Sequence, residues 1–342
     1  MDLALPSQLR SSLGGTTATR LDGRTEVWRV EMGGGDVVLR RNDPASHPPS
    51  ESTVTNDIGW VHRFLSSRDG GGLGLPRPVP LFDGASVVIA DGAVWEALTF
   101  VPGRVVGWDL SPTMYEVGRL LARFHEVVAE TGALGQRQPC IPVDTLTDQQ
   151  WSRVELSSTD RRTVMGSLAS LTEDLEDVDH AGSRRTVIHG DITNHNILAT
   201  GLPPKASGVI DFANAYCEAT LADIGFALWR SGRPSQSAES FDHERIASFL
   251  AGYHSRRPLD QTDVRAVTAY LRARGLQIMA KRARRTAVVD TGPIRKLDWL
   301  AHNLTRLNQR LSSAVRLLPT NGVATHSRTT HCPSPRTQQV TD

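Results

Sequence analysis

Two segments of this chain, IHGDITNHNIL (Ile188 to Leu198) and GVIDF (Gly208 to Phe212), hold the residue types that phosphoryl transfer requires. Asp191 and Asn196 are five residues apart, and Asp211 follows fifteen residues after Asn196. That chemistry makes few covalent demands on a protein. It needs a carboxylate to orient or deprotonate the attacking hydroxyl, and metal ions to offset the charge of the phosphates. A hard cation such as Mg2+ takes oxygen ligands, and an amide carbonyl and a carboxylate both qualify. A loop bearing Asp191 and Asn196, followed by a strand that ends in Asp211, supplies both functions.

Such groups need a frame. Thr25 to Met32 alternates around Val27 and Val30, GGGD turns, and Val37 to Arg41 returns, which predicts a β-hairpin. Asp57 to Ser67 carries Ile58, Val61, Phe64 and Leu65 at helical spacing. The glycines from Gly70 to Gly74 and the prolines Pro76, Pro78 and Pro80 stop that helix. Ser86 to Ala90 and Ala93 to Phe100 complete an antiparallel set. Beyond Gly103 helical stripes take over: Val117, Leu120, Leu121, Phe124 and Val128; then Val264, Val267 and Leu271; then Leu300, Leu304, Leu307, Leu311, Val315 and Leu318. Only Thr186 to Asp191 and Gly208 to Phe212 interrupt them as strands. The expectation is an α+β chain in two lobes: an antiparallel-sheet nucleotide lobe over 1–98, a hinge over 99–103 and a mainly helical catalytic and acceptor lobe over 104–318. The polar, aperiodic stretch 319–342 is expected to be a disordered tail.

HGDITNHN resembles the HxDxxxxN catalytic loop of the aminoglycoside phosphotransferase and choline kinase family, distant relatives of the protein kinases. VIDFANA resembles the family's metal-binding IDF segment, and LADIGFAL (Leu221 to Leu228) its following helix. The three occur in family order. The resemblance implies a bilobal protein-kinase-like fold, with Asp191 as catalytic base and Asn196 and Asp211 as Mg2+ ligands. It implies ATP or GTP as phosphate donor and a small-molecule hydroxyl compound as acceptor, whether an antibiotic or a metabolite. His189 is expected to brace the loop through hydrogen bonds, Asp223 to be structural, His125 to pack and His195 to be a bystander.

On the nucleotide side LDGRTEVWRV resembles the family's shortened phosphate loop, which places Gly23, Arg24 and Thr25 near the phosphates. A GxxxxGK[ST] loop is absent from the sequence. The third strand, VVLRR, should supply a cation, and Arg40 aligns best; the alternative register turns Arg41 inward. A guanidinium suits phosphate because it binds in bidentate fashion. The family pairs that cation with a helix Glu, for which this chain offers Asp57, or Glu51 if the helix begins early. EALTFVPG resembles the hinge, where adenine would bond backbone groups near Thr99 and Val101.

Lys plus Arg number 38 against 37 acids, a net charge of +1, so neither nucleic acid nor an anionic membrane is the expected partner. The three cysteines form no CxxC pair and predict neither a disulfide framework nor a zinc site. The first residues lack the basic and apolar regions of a secretory signal, and no apolar run approaches the roughly 20 residues of a membrane span. A cytoplasmic monomer or homodimer is expected.

The acceptor is addressed by Arg272 to Arg285, which carries Arg272, Arg274, Lys281, Arg282, Arg284 and Arg285 and no acid. Either this is a solvated helix face, or part of it meets an acceptor that is neutral or anionic. FLAGYHSRRPLD (Phe249 to Asp260) resembles a segment of the type II homoserine kinases, whose substrate bears a carboxylate. The remaining alternative, a catalytically dead homologue acting as a binding module, has no need of Asp191, Asn196 and Asp211 together.

Overall fold

The computed structural model describes residues 6, 9, 13, 17–21, 26–42, 51–67, 70–107, 114–129, 137, 141–147, 151, 154–180, 185–283 and 291–316. Gly23, Arg24, Thr25, Arg284, Arg285 and the 319–342 tail lie outside these residues. Two compact units partition the chain: Met1–Val106 with His195–Ala213, and Gly107–Asn194 with Asn214–Asp342.

The first unit is built on strands β1 (Ala18–Arg20), β2 (Glu26–Val30), β3 (Val37–Asn42), β4 (Val87–Ala90) and β5 (Ala93–Thr99), antiparallel in the order β1-β2-β3-β5-β4. Alternation sorts their side chains. Trp28, Val30, Val37, Leu39, Trp95 and Ala97 enter one core with Leu9 and Leu13, so Arg40, one residue past Leu39, turns to the opposite face. There the register sets it directly across from Glu96. Helix α1 (Glu51–Ser66) buries Trp60, Val61, Phe64 and Leu65. It starts six residues before the expected Asp57, because the polar run ESTVTN has no apolar stripe to read and each added residue costs little once a nucleus exists. A three-stranded sheet, β6 (Arg104–Val105), β8 (Ile197–Thr200) and β9 (Lys205–Val209), completes this unit in the order β6-β8-β9. The stretch from His195 to Ala213 therefore belongs with the sheet lobe and not with the helices that flank it in sequence.

The second unit is helical: α2 (Met114–Val128), α3 (Ser158–His180), α4 (Thr220–Ser231), α5 (His243–His254), α6 (Gln261–Ala283) and α7 (Thr291–Arg316), with a two-stranded ribbon of β7 (Arg185–Ile188) and β10 (Tyr216–Ala219). The predicted stripes face inward: Val117, Leu121, Val264, Val267, Leu271, Leu300, Leu307 and Leu311 are all buried. Helices α2 and α5 meet at backbone contact. A Cβ on Gly252 would collide with the Tyr115 carbonyl, and one on Gly118 with that of Phe249. Neither obstacle is a flexible side-chain end, so the helices would have to separate. Gly252→Ala is expected to lower unfolding free energy by about 1–3 kcal/mol, as overpacking does; an unchanged denaturation midpoint would show that the crossing relaxes freely. Among the described residues no helix is long and apolar enough to cross a membrane.

Candidate active site

In the second unit, the ladder that pairs Ile188 with Tyr216 delivers the chain to His189, Gly190 and Asp191. Gly190 has φ 73°, and a Cβ there would strike the Asn214 carbonyl, so the turn suits glycine. The main-chain N–H groups of His189 and Gly190 both donate to Asp223, at 2.9 Å to Oδ2 and 2.9 Å to Oδ1. Asp223 lies in the first turn of α4 and is fully buried. His125 on α2 reaches the same carboxylate through Nε2 at 3.1 Å and meets the Tyr253 hydroxyl through Nδ1 at 2.8 Å.

The protonation states of this network follow from its environment. Burial works against the Asp223 charge, but the hydrogen bond and charge of His125, the His189 ring and the His189 amide together hold its carboxyl below the ordinary range. Burial pushes His125 down, against the pull of Asp223, so the ring is neutral and donates from Nε2. Burial raises the Tyr253 hydroxyl to about 12, which keeps it a donor to Nδ1. Every polar atom is thereby matched. Asp223 is the structural acid that the sequence predicts. His125 does more than pack, because it secures that acid. His189 braces the loop as expected, its Nδ1 accepting from the Asp191 N–H at 3.3 Å.

Asp191 is partly exposed, and its Oδ1 accepts from Nη2 of Arg274 on α6 at 3.1 Å. The Arg274 guanidinium lies over the Phe226 ring, 5.1 Å from its centroid. The other described cations of the basic segment diverge. Arg272 is buried and pairs with Asp174 on α3, while Lys281 and Arg282 are exposed.

The first unit gathers the other charged residues. Nη1 of Arg40 donates to Asp211 Oδ1 at 3.0 Å, and its Nε lies 3.8 Å from Glu96 Oε1. Burial opposes the guanidinium charge, but Asp211 and then Glu96 outweigh it and raise Arg40 above its ordinary value. Glu96 is itself buried, which alone would raise it. The hydrogen bond from His62, the charge of Arg40 and the amide of Asn42 hold it below the usual carboxylate range. The expected pairing of Arg40 with Asp57 is thus corrected: the strand neighbour Glu96 takes that place, and α1 contributes His62, whose Nε2 is 3.0 Å from Glu96 Oε2. Register explains the substitution, since Glu96 stands opposite Arg40 on the adjacent strand. One signal for it was present in the sequence, a single acid inside the apolar run AVWEALTF. Arg41 pairs with Glu26 across the hairpin.

Asn196 is joined to the Asp211 segment by the Ile210 N–H, which donates to the Asn196 carbonyl at 2.9 Å. Asp211 itself adopts φ 64°, a left-handed conformation that Asp and Asn tolerate better than most residues. The Ile210–Asn196 bond is between main-chain groups; a side-chain amide oxygen and a carboxylate are each hard donors of the kind Mg2+ accepts. Among the described residues no group of three or more His, Cys, Asp or Glu offers an all-protein cage. Thr99 lines a cavity of about 630 Å³ together with Arg29, Asp36, Phe100 and Pro102. Val101 is buried, its side chain against Gly74 and Gly208.

A family model described as "Phosphotransferase enzyme family" matches residues 17–259. A homoserine kinase of Mesorhizobium japonicum is 26% identical over 66% of this chain and 69% of its own length. Another, of Gluconacetobacter diazotrophicus, is 28% identical over 68% of this chain and 70% of its own. An uncharacterized protein of Deinococcus radiodurans is 25% identical over 79% and 77%. Among solved structures, a microcompartment-associated aminopropanol kinase superposes with TM-score 0.61 at 22% identity, covering 89% of this chain and 95% of that one. An amicoumacin kinase in complex with AMP-PNP and Ca2+ gives 0.58 at 17% identity, over 86% and 88%. The fold is that of the protein-kinase-like small-molecule kinases.

Proposed function

The chain belongs to the phosphotransferase enzyme family, and from that premise we propose that it moves the γ-phosphate of ATP to a hydroxyl group of a small molecule, with Asp191 as the base. The observation that carries this reading is the Arg40–Asp211 ion pair, which joins residues 171 apart in sequence. A cation for the nucleotide phosphates and a carboxylate for the metal are the two charges phosphoryl transfer asks of the protein beyond its base. Asn196 and Asp211 would hold Mg2+, which when bound neutralises phosphate charge. Arg40, held by Glu96, would bind the α- and β-phosphates, near which Gly23, Arg24 and Thr25 are expected. Adenine bonds the backbone near Thr99 and Val101. Asp191 accepts a hydrogen bond from the acceptor hydroxyl, orients its lone pair toward the γ-phosphorus and receives the proton as the new P–O bond forms, while the bond from that phosphorus to the β,γ-bridging oxygen breaks and ADP leaves. Buried Asp223 supports this step by fixing the backbone on which Asp191 is carried.

A second reading, an amino-acid kinase resembling the homoserine kinases, draws on the identities of 26% and 28% to two of them. An ADP-release screen across aminoglycosides, peptide antibiotics, amino alcohols and hydroxy amino acids tests both. Absence of turnover on every class would remove the proposal. The metal assignment has its own test. Asp211→Ala and Asp211→Asn are both expected to abolish Mg2+-dependent ATP affinity in calorimetry. The Asn variant keeps a residue that tolerates the left-handed backbone, so its failure to bind reports the lost charge and not a rearranged turn. Unchanged Mg-ATP binding in both variants would exclude Asp211 as ligand.

A further inference from the structure

We infer that Arg274 is the residue that selects the acceptor, and that the acceptor is a hydroxyl compound bearing a carboxylate. This rests on the reading of Asp191 as the base that receives the acceptor hydroxyl.

Arg274 projects from α6 because α6 packs on α4 at backbone distance: a Cβ on Gly225 would meet the Tyr270 side chain and the Leu271 nitrogen. That close approach puts Tyr270 edge-on to Phe226, with ring centroids 6.3 Å apart, and lays the Arg274 guanidinium on the same ring one helical turn later. The guanidinium is therefore held over an aromatic surface, while one nitrogen reaches Asp191 at 3.1 Å. A guanidinium has five N–H donors in a rigid fork, so a single bond to Asp191 leaves most of them available. Arg274 keeps a side-chain exposure of 20%, and its nitrogens are not among the buried atoms that lack a hydrogen-bond partner. The unused donors therefore face solvent beside the base.

Geometry then constrains the acceptor. Its hydroxyl must come within hydrogen-bond reach of Asp191 for proton transfer, which brings the atoms a few bonds away within reach of Arg274. A carboxylate there meets a fork that binds it with two parallel bonds. An ammonium group there meets a like charge, and juxtaposed like charges cost several kcal/mol. Arg274 also offsets the repulsion that the Asp191 carboxylate would exert on an anionic acceptor. Among the described residues of the basic segment Arg274 is the member that reaches the base, for Arg272 pairs with Asp174 and Lys281 and Arg282 are exposed.

The experiment compares acceptors that differ only by the carboxylate, L-serine against ethanolamine and L-homoserine against straight-chain propanolamine, using the full chain, Mg-ATP and ADP release. The wild type is expected to favour a carboxylate member over its partner. Arg274→Gln should lower kcat/KM for that member by about 10- to 100-fold, chiefly through KM, as loss of a hydrogen bond to a charged group does. The effect on the amine partner should be several-fold smaller, and Arg274→Lys should restore part of the loss by keeping the charge without the fork. Equal losses on both members would reduce Arg274 to a residue that positions Asp191, and would overturn the inference. Turnover on amino alcohols or aminoglycosides with none on the hydroxy acids would overturn it too, leaving phosphotransfer standing. Absence of ADP release with every acceptor, together with absence of Mg-ATP binding, would sink the phosphotransferase reading itself, and this inference with it.

Discussion

Asp191→Asn is expected to lower turnover by about 100- to 10,000-fold, the usual contribution of a positioned general base, while Mg-ATP affinity stays near that of the wild type. The asymmetry follows from where the residue acts. Asp191 meets the acceptor, whereas nucleotide affinity is assigned to Arg40, Asn196 and Asp211 on separate stretches of chain. An amide of the same shape is expected to preserve the loop, because Asp223 secures the main-chain N–H groups of His189 and Gly190. Single-turnover kinetics and a nucleotide titration separate the two quantities. Near-normal turnover in the variant would exclude Asp191 as base. A parallel collapse of nucleotide affinity would mean that the substitution disturbs more than the acceptor step.

Asp223→Ala is expected to cost about 3–5 kcal/mol of unfolding free energy, as removing one partner of a buried charged network does. Two main-chain donors and the His125 Nε2–H would be left without their acceptor in a site closed to water. The wild-type network also has a pH signature. His125 and Asp223 both sit below their ordinary values of 6.5 and 3.8 in the folded protein. For each group the unfolded chain therefore binds the proton more readily, so stability rises with pH. The contribution is complete above 6.5, begins to fall as His125 protonates in the unfolded chain, and falls further through the carboxylate range as Asp223 does so. Denaturant unfolding at a series of pH values should show that decline in the wild type and a flatter dependence in His125→Gln, which cannot titrate. A wild-type stability that is constant or increases on acidification would contradict the assignment of a neutral His125 beside an ionised Asp223.

The spacing of Asp191, Asn196 and Asp211 and the alternation around Leu39 and Arg40 are local properties, and local patterns survive without tertiary information. Hence the sequence by itself determined the class of chemistry and the strand-then-helix order of the α+β fold, and it favoured Arg40 over Arg41, a choice of register that the structure decides. Helix boundaries were less secure: α1 begins at Glu51 because a polar turn can extend a helix without displaying an apolar stripe. Partnerships across long stretches of chain were decided only by tertiary structure, since they depend on register and crossing geometry. Glu96 replaces the expected Asp57 beside Arg40 because β3 and β5 pair in the register that sets the two opposite. The His195–Ala213 segment joins the sheet lobe because β8 pairs with β6 and β9. Most consequential for function, Arg272 and Arg274 differ by two positions on one helix yet end on Asp174 and Asp191. Two residues along an α-helix is a rotation of about 200°, so neighbouring cations face opposite sides. Which side meets the base depends on how α6 seats against α4, and the contact that seats it is a glycine with no side chain to signal it.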